Sequence, residues 1–190
     1  LEDVYENYKK MPDKKVQGAM VVMDYEGRIL GLVGGTGKYS GKLGLNRASQ
    51  SVRQPGSVIK PLSVYGPAFE KSLQDNNVNI YWSTMIEDKP LKKVNGKWWP
   101  TNEGGSYSGN SVSIQYGLSK SLNTVSARTL DKSGVDYSFD YITQRFHIST
   151  LKVQDEDYAP LATGSLTNGV TTLEMTAAYA TFGNGGVYHK

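Results

Sequence analysis

The chain has 190 residues, 38% hydrophobic and 21% charged, a globular composition that excludes global disorder and suffices for the core of one domain. Its 21 Lys and Arg against 18 Asp and Glu leave a net charge of +3, scattered rather than striped, which argues against a nucleic-acid partner. There is no Cys, so disulfides, thiolate nucleophiles and Cys-ligated metals are excluded, and His147 and His189 are the only histidines, which turns attention to Lys as a base.

Leu1, Val4, Tyr5 and Tyr8 recur at helical spacing and predict a lead-in or linker helix within residues 1–15, interrupted by Pro12. The first residue is Leu and no signal peptide follows, so the chain is expected to be excised from a longer protein. Its longest apolar stretch, near residues 18–23, falls far short of the roughly 20 residues that span a bilayer. Residues 16–25 and 28–33 are rich in β-branched and aliphatic side chains around the turn pair Glu26-Gly27, which predicts an antiparallel hairpin. Residues 34–44 are Gly- and Lys-rich and read as a loop whose glycines miss the spacing of either phosphate-binding motif.

Helical patterning resumes after Pro55-Gly56, and a second helix is predicted over 114–130, ending before Gly134. Between them, Asn95-Gly96, Trp98-Trp99-Pro100 and Gly104 to Gly109 carry too many breakers for a helix and suggest a site-lining connection. His147 is expected on a helix within 141–148. A third helix is marked by Val170, Leu173, Ala177 and Ala180, with Thr171 or Thr172 as its cap and Asn184-Gly185-Gly186 as its end.

The candidate chemistry concentrates in Pro55-Gly56-Ser57-Val58-Ile59-Lys60-Pro61. Ser57 and Lys60, three apart at a helix start, share a face. A serine is a weak nucleophile until its proton is removed, and a lysine one turn away can remove it once burial leaves part of the amine neutral. The helix start adds backbone N–H groups useful to a developing oxyanion. S-x-x-K alone recurs by chance on many helices. A second element, Ser121-Leu122-Asn123, supplies a hydroxyl able to relay a proton and an amide that donates and accepts. Trp82, Trp98 and Trp99 are candidates to line a groove, though such residues more often anchor cores and loops. Asp24, Glu70, Glu103 and Glu174 show no paired spacing of the kind a glycosidase needs.

Together these residues resemble the transpeptidase domain of class A penicillin-binding proteins, whose superfamily carries S-x-x-K, S-D-N and K-T-G. Further blocks follow in family order: Gly18 to Asp24 with Gly27 to Gly35, Asn46-Arg47-Ala48, Trp99-Pro100-Thr101-Asn102 with Tyr107-Ser108-Gly109, and Leu173 to Gly186. The resemblance covers residues from about 16 to 188. It implies an α/β fold with an antiparallel sheet between helical layers. It also implies Ser57 as the acylated nucleophile, Lys60 as its base, Ser121 as the relay to the leaving amine and Asn123 as the ligand of the substrate amide, while Trp99 is a substrate-binding candidate on its aromatic character. No cofactor or metal is expected.

Leu122 replaces the Asp of class A β-lactamases, and no counterpart of their deacylating Glu is evident, so the resemblance leans to a transpeptidase. Ala162-Thr163-Gly164-Ser165 looks like K-T-G-S, but it precedes the Ala-Tyr-Ala-Thr-Phe helix and Ala cannot bind a substrate carboxylate. Residues 16–190 are therefore expected to be the N-terminal portion of the domain, completed by a segment bearing K-T-G. The implied activity is D,D-transpeptidation of peptidoglycan stem peptides, with β-lactams trapped at the same serine. D,D-carboxypeptidase, a non-catalytic β-lactam sensor and a fragment inactive alone remain alternatives. The whole protein is expected to be membrane-anchored and to act at the outer face of the bacterial cytoplasmic membrane.

Overall fold

The computed structural model describes residues 16–36 and 44–189, so the predicted helix within 1–15 and most of the 34–44 loop lie outside the described residues. The chain divides into two compact units: Leu1–Arg53 with Arg145–Thr150 and Asn168–Lys190, and Gln54–Gln144 with Leu151–Thr167. Helices and antiparallel strands mix in both, as the expected α/β class requires. Among the described residues no helix is long and apolar enough to cross a membrane.

In the first unit, β1 (Met20–Met23) and β2 (Ile29–Val33) form the expected antiparallel hairpin, shorter than the alternation suggested, with Met20 opposite Val33. Its turn is tied by Asp24, whose carboxylate accepts from the Glu26 and Arg28 amides at 3.0 and 2.9 Å, while Gly27 takes a φ of 80°. The one-turn helix α1 (Arg47–Gln50) is capped by Asn46. His147 is not on a helix: it has a left-handed φ of 49° and its ring lies against Tyr188.

The second unit is mostly helical. Gly56–Ile59 is a tight 3₁₀ turn, Pro61–Tyr65 a wide π turn, and α2 (Gly66–Gln74) continues as a regular helix. Pro61 explains the change of pitch: it has no N–H to donate, so the chain tightens before it, with Lys60 N on Ser57 O, and widens after it, with Gly66 N on Pro61 O. A side chain at Gly66 would stand 2.9 Å from that carbonyl, so the wide turn also needs the glycine.

Three strands follow: β3 (Met85–Glu87), and the hairpin β4 (Lys92–Val94) with β5 (Lys97–Trp99), which turns at Asn95-Gly96 inside the region read from sequence as a loop. β6 (Ser111–Ser113) pairs with β3.

The helix expected over 114–130 is two helices, α3 (Ile114–Ser119) and α4 (Asn123–Ser133). The apolar periodicity runs through both, and nothing in Lys120-Ser121-Leu122 is a conventional breaker, so the pattern concealed the break. α4 lies at the middle of the unit and packs on the π turn, α2, α3, α5 (Val135–Gln144) and α6 (Tyr158–Thr163). Its buried positions include hydroxyls that bond to carbonyls rather than remain unmet, Ser126 on Ala162 O at 2.8 Å and Thr129 on Val125 O at 2.8 Å. Ile59, Leu62, Ile114, Leu130, Ile142 and Leu161 are fully buried here.

The third expected helix, in the first unit, is α7 (Thr172–Ala180), capped by Thr171 and followed by a 3₁₀ turn over Thr181–Gly183.

Candidate active site

Ser57 lies on the 3₁₀ turn, exposed, and among the described residues its hydroxyl has no hydrogen-bond partner. Gly56 before it has a left-handed φ of 54°. A second segment presses on this turn: a side chain at Gly164, the left-handed cap of α6 with φ 76°, would stand only 2.1 Å from Gly56 O. Gln54 fastens the same pair of segments, since its amide accepts from Leu166 N and donates to Leu166 O. The sequence Ala162-Thr163-Gly164 therefore ends a helix and buttresses the serine turn; it is not a strand bearing a cation.

Lys60 closes the turn with its side chain almost fully buried, at 1% exposure. Its three N–H groups meet three acceptors: Asn123 Oδ1 at 2.7 Å, Ser121 O at 2.8 Å and Ser121 Oγ at 3.2 Å. Burial pushes the Lys60 pKa down to about 8. Such an amine is neutral for roughly a tenth of the time near pH 7, enough to accept a proton from a hydroxyl.

The acceptors reach Lys60 because α3 and α4 are separated by a tight reversal. Ser121 N bonds to Leu118 O and Leu122 N to Gly117 O, the paired bonds of a Schellman end, and Ser121 holds the left-handed position usually given to glycine, with φ 53°. A non-glycine residue there is strained by about 1–2 kcal/mol. The neighbouring helices close without a gap at Gly117, where a side chain would meet Val125 at 2.5 Å.

Beyond the reversal, Leu122 offers α4 no side-chain cap. The cap comes from elsewhere. Asn102 Oδ1 accepts from Thr124 N at 3.2 Å, its Nδ2 donates to Asp88 at 2.8 Å, and the Thr124 hydroxyl donates to Asp88 at 2.6 Å. The Asp88 carboxylate also accepts from Ser108 N at 2.7 Å, and Asn123 Nδ2 donates to Thr101 O at 2.9 Å. Asp88, Asn102 and Thr124 are all buried. Burial raises the Asp88 pKa, but the bonds from Ser108, Thr124 and Asn102 outweigh it and hold the group below the ordinary carboxylate range. A cavity of about 440 Å³ opens beside this network, lined by Ser108, Asn110, Val112, Tyr116 and Leu122 among others.

Of the five residues expected from sequence, the fold brings Lys60, Ser121 and Asn123 into direct contact and puts Ser57 one turn from Lys60. The half-buried ring of Trp99 packs edge-on against Tyr158, and Lys92 lies over it at 5.9 Å. Asp88 and Thr124 escape the sequence reading, and Gly164 is read there only as part of a false K-T-G-S, not as a buttress of the serine turn. Asp88 has no motif partner nearby in the chain, and Thr124 follows Asn123 with no signal of its own. Among the described residues no group of three His, Asp or Glu is placed to hold a metal ion.

The model of the penicillin binding protein transpeptidase domain matches residues 18–190. The chain belongs to that family. It is 39% identical over 181 residues to Penicillin-binding protein 4 of Bacillus subtilis (strain 168), covering 94% of this chain and 27% of that protein. It is 38% identical over 177 residues to Penicillin-binding protein 1A of Neisseria lactamica, covering 90% of this chain and 20% of that protein. The crystal structure of Penicillin-Binding Protein 1A from Haemophilus influenzae matches 87% of this chain, and 23% of its own, with a TM-score of 0.68 at 30% identity. PonA1 from Mycobacterium tuberculosis in complex with penicillin V gives a TM-score of 0.73 over 99% of this chain and 48% of its own; at 23% identity this is a likeness of fold alone. The chain thus spans about a quarter or less of the length of these curated relatives.

Proposed function

We propose that this chain carries the acylation site of a peptidoglycan D,D-transpeptidase. The observation that carries the reading is the seat of Lys60: a buried amine, shifted toward neutrality, one turn from Ser57 and bound to both polar residues of the Ser121-Leu122-Asn123 segment. Neutral Lys60 takes the Ser57 proton as Ser57 Oγ bonds to the carbonyl carbon of the penultimate D-Ala. The C–N bond to the terminal D-Ala then breaks, and the departing amine receives its proton through the Ser121 hydroxyl. An acceptor amine next attacks the ester, yielding the cross-link and freeing Ser57. In this reading Asn123 binds the substrate amide, a role supported by its position between Lys60 and Thr101. A β-lactam acylates the same serine, and its ring-opened amine has nowhere to depart.

Because the substrate is extracytoplasmic, the whole protein is placed by this reading at the outer face of the cytoplasmic membrane. The test is peptide mapping of the full-length protein after exposure to a labelled penicillin. Adduct confined to Ser57 is the expected result; adduct on Ser119 or Ser121 overturns the assignment.

A further inference from the structure

The three acceptors that seat Lys60 lie on two residues of one short segment, Ser121 and Asn123, and Ser121 is backbone-strained. Something must hold that reversal in place. On its N-terminal side the Schellman bonds of α3 do so; on its C-terminal side α4 begins at a residue with no capping side chain. The orphan N–H of Thr124 is met by Asn102, and an asparagine amide has two orientations of nearly equal shape. Only the orientation that gives Nδ2 to Asp88 leaves Oδ1 facing Thr124 N. The carboxylate therefore decides which way Asn102 is seated, and it grips the first turn of α4 directly through the Thr124 hydroxyl.

We infer that Asp88 is a positioning residue for the acylation site, fixing the Ser121–Asn123 reversal against the Lys60 amine through Asn102 and Thr124. The chemistry requires an acceptor-only group. Three donors converge on Asp88, the Thr124 hydroxyl, the Asn102 amide and Ser108 N–H. A carboxylate accepts from all three, whereas an asparagine there must turn its own NH₂ toward at least one of them. The charge also sits at the start of the 11-residue helix α4, where a negative group is favoured by the helix dipole. Asp88 is itself pinned by backbone bonds, its N–H to Asn110 O at 2.8 Å and its carbonyl accepting from Gly109 N at 3.1 Å, so the anchor is the extension of the β3–β6 pair.

The inference deepens the proposed function and rests on it for the kinetic readout alone. The test compares Asp88→Asn, Thr124→Val and Thr124→Ser with the wild type in the full-length protein. Lys60 is titrated by NMR after ¹³Cε-lysine labelling, without substrate, and acylation by a labelled penicillin is followed in time. If Asp88 positions the reversal, Asp88→Asn displaces the acceptors of the ammonium and moves the Lys60 midpoint down by about one pH unit. Its acylation rate constant falls about tenfold or more while the fraction finally labelled stays near that of the wild type. Thr124→Val gives a smaller change in the same direction, and Thr124→Ser restores both readouts. A Lys60 midpoint unchanged in Asp88→Asn and Thr124→Val overturns the inference, as does a loss that appears only as a smaller labelled fraction at an unchanged rate. Should the wild type not acylate at Ser57, the functional reading fails, and the titration still decides the role of Asp88.

Discussion

Lys60 Nζ donates to Asn123 Oδ1 at 2.7 Å, so the amine of the serine turn is seated by an amide 63 residues further along the chain. Two effects oppose each other in that seat. The three acceptors favour the ammonium, while burial disfavours it, and burial wins, leaving the pKa at about 8. The folded value lies below the unfolded one near 10.4, so between the two the unfolded chain binds more protons and stability rises with pH. Below about 8 both states are protonated and the full cost of burying the charge is present. Denaturant melts should show the wild type gaining at most about 3 kcal/mol between roughly pH 8 and 10.5 relative to Lys60→Met. A flat difference between the two proteins contradicts the burial of a titrating amine.

Ser121 combines a strained backbone with a reactive hydroxyl, and the two can be separated. Ser121→Gly relieves the left-handed conformation and should stabilise the fold by about 0.5–1 kcal/mol after allowance for the more flexible unfolded chain. Ser121→Ala keeps the strain. Both lose the hydroxyl, so turnover of a peptide substrate should fall by about a hundredfold or more in each. Thermal melts beside peptide assays check this, and a Gly variant no more stable than the Ala variant would show that the backbone is not strained.

Gly164 should tolerate no side chain. Both its φ of 76° and its approach to Gly56 O oppose one, so Gly164→Ala is expected to cost about 2 kcal/mol or more and to slow acylation by shifting the Ser57 turn. Gly96→Ala is the control: φ there is 78°, but the space is open, so it should cost about 1 kcal/mol and leave the acylation rate unchanged. Equal effects of the two substitutions on acylation would deny Gly164 its role as a buttress.

Much of this was legible in the chain, and the failures have physical causes. The hairpin at Glu26-Gly27 and the Thr171 cap were readable because turn and cap residues act locally. The pairing of S-x-x-K with Ser121-Leu122-Asn123 was readable through family resemblance. Neither element on its own was decisive. The break between α3 and α4 was concealed because Ser121 occupies a glycine position, and that same misfit lets its hydroxyl and carbonyl turn toward Lys60. Asp88 was not legible at all: its partners lie 14, 20 and 36 residues away, and only the folded chain brings three donors to one carboxylate.

In the first unit the α7 cap gives an acid-sensitive contact. Thr171 and Glu174 form a reciprocal capping box, and Glu174 also accepts from Ser149 N and Oγ at 2.9 and 2.7 Å. Burial raises the Glu174 pKa, but the bonds from Ser149 and Thr171 outweigh it and hold the carboxyl below its usual range. A depressed carboxylate contributes stability that is present above the unfolded pKa and lost as pH falls through the folded one. Glu174→Gln and Thr171→Ala should each cost about 1 kcal/mol at neutral pH, and the Gln variant's deficit should shrink in acid. Chemical denaturation at several pH values measures both, and a Gln deficit that persists unchanged in acid would contradict the depressed pKa.

The most direct measurement is the rate of penicillin acylation at Ser57 as a function of pH, in the wild type and in Lys60→Arg of the full-length protein. With Lys60 as the base, the wild-type rate should fall about tenfold per pH unit below a midpoint near 8, where the amine becomes protonated. Lys60→Arg keeps a cation in the seat but stays protonated throughout, so its acylation should be slower by about a hundredfold or more, with the pH dependence lost. An Arg variant that acylates Ser57 near the wild-type rate would show that Lys60 is not the base.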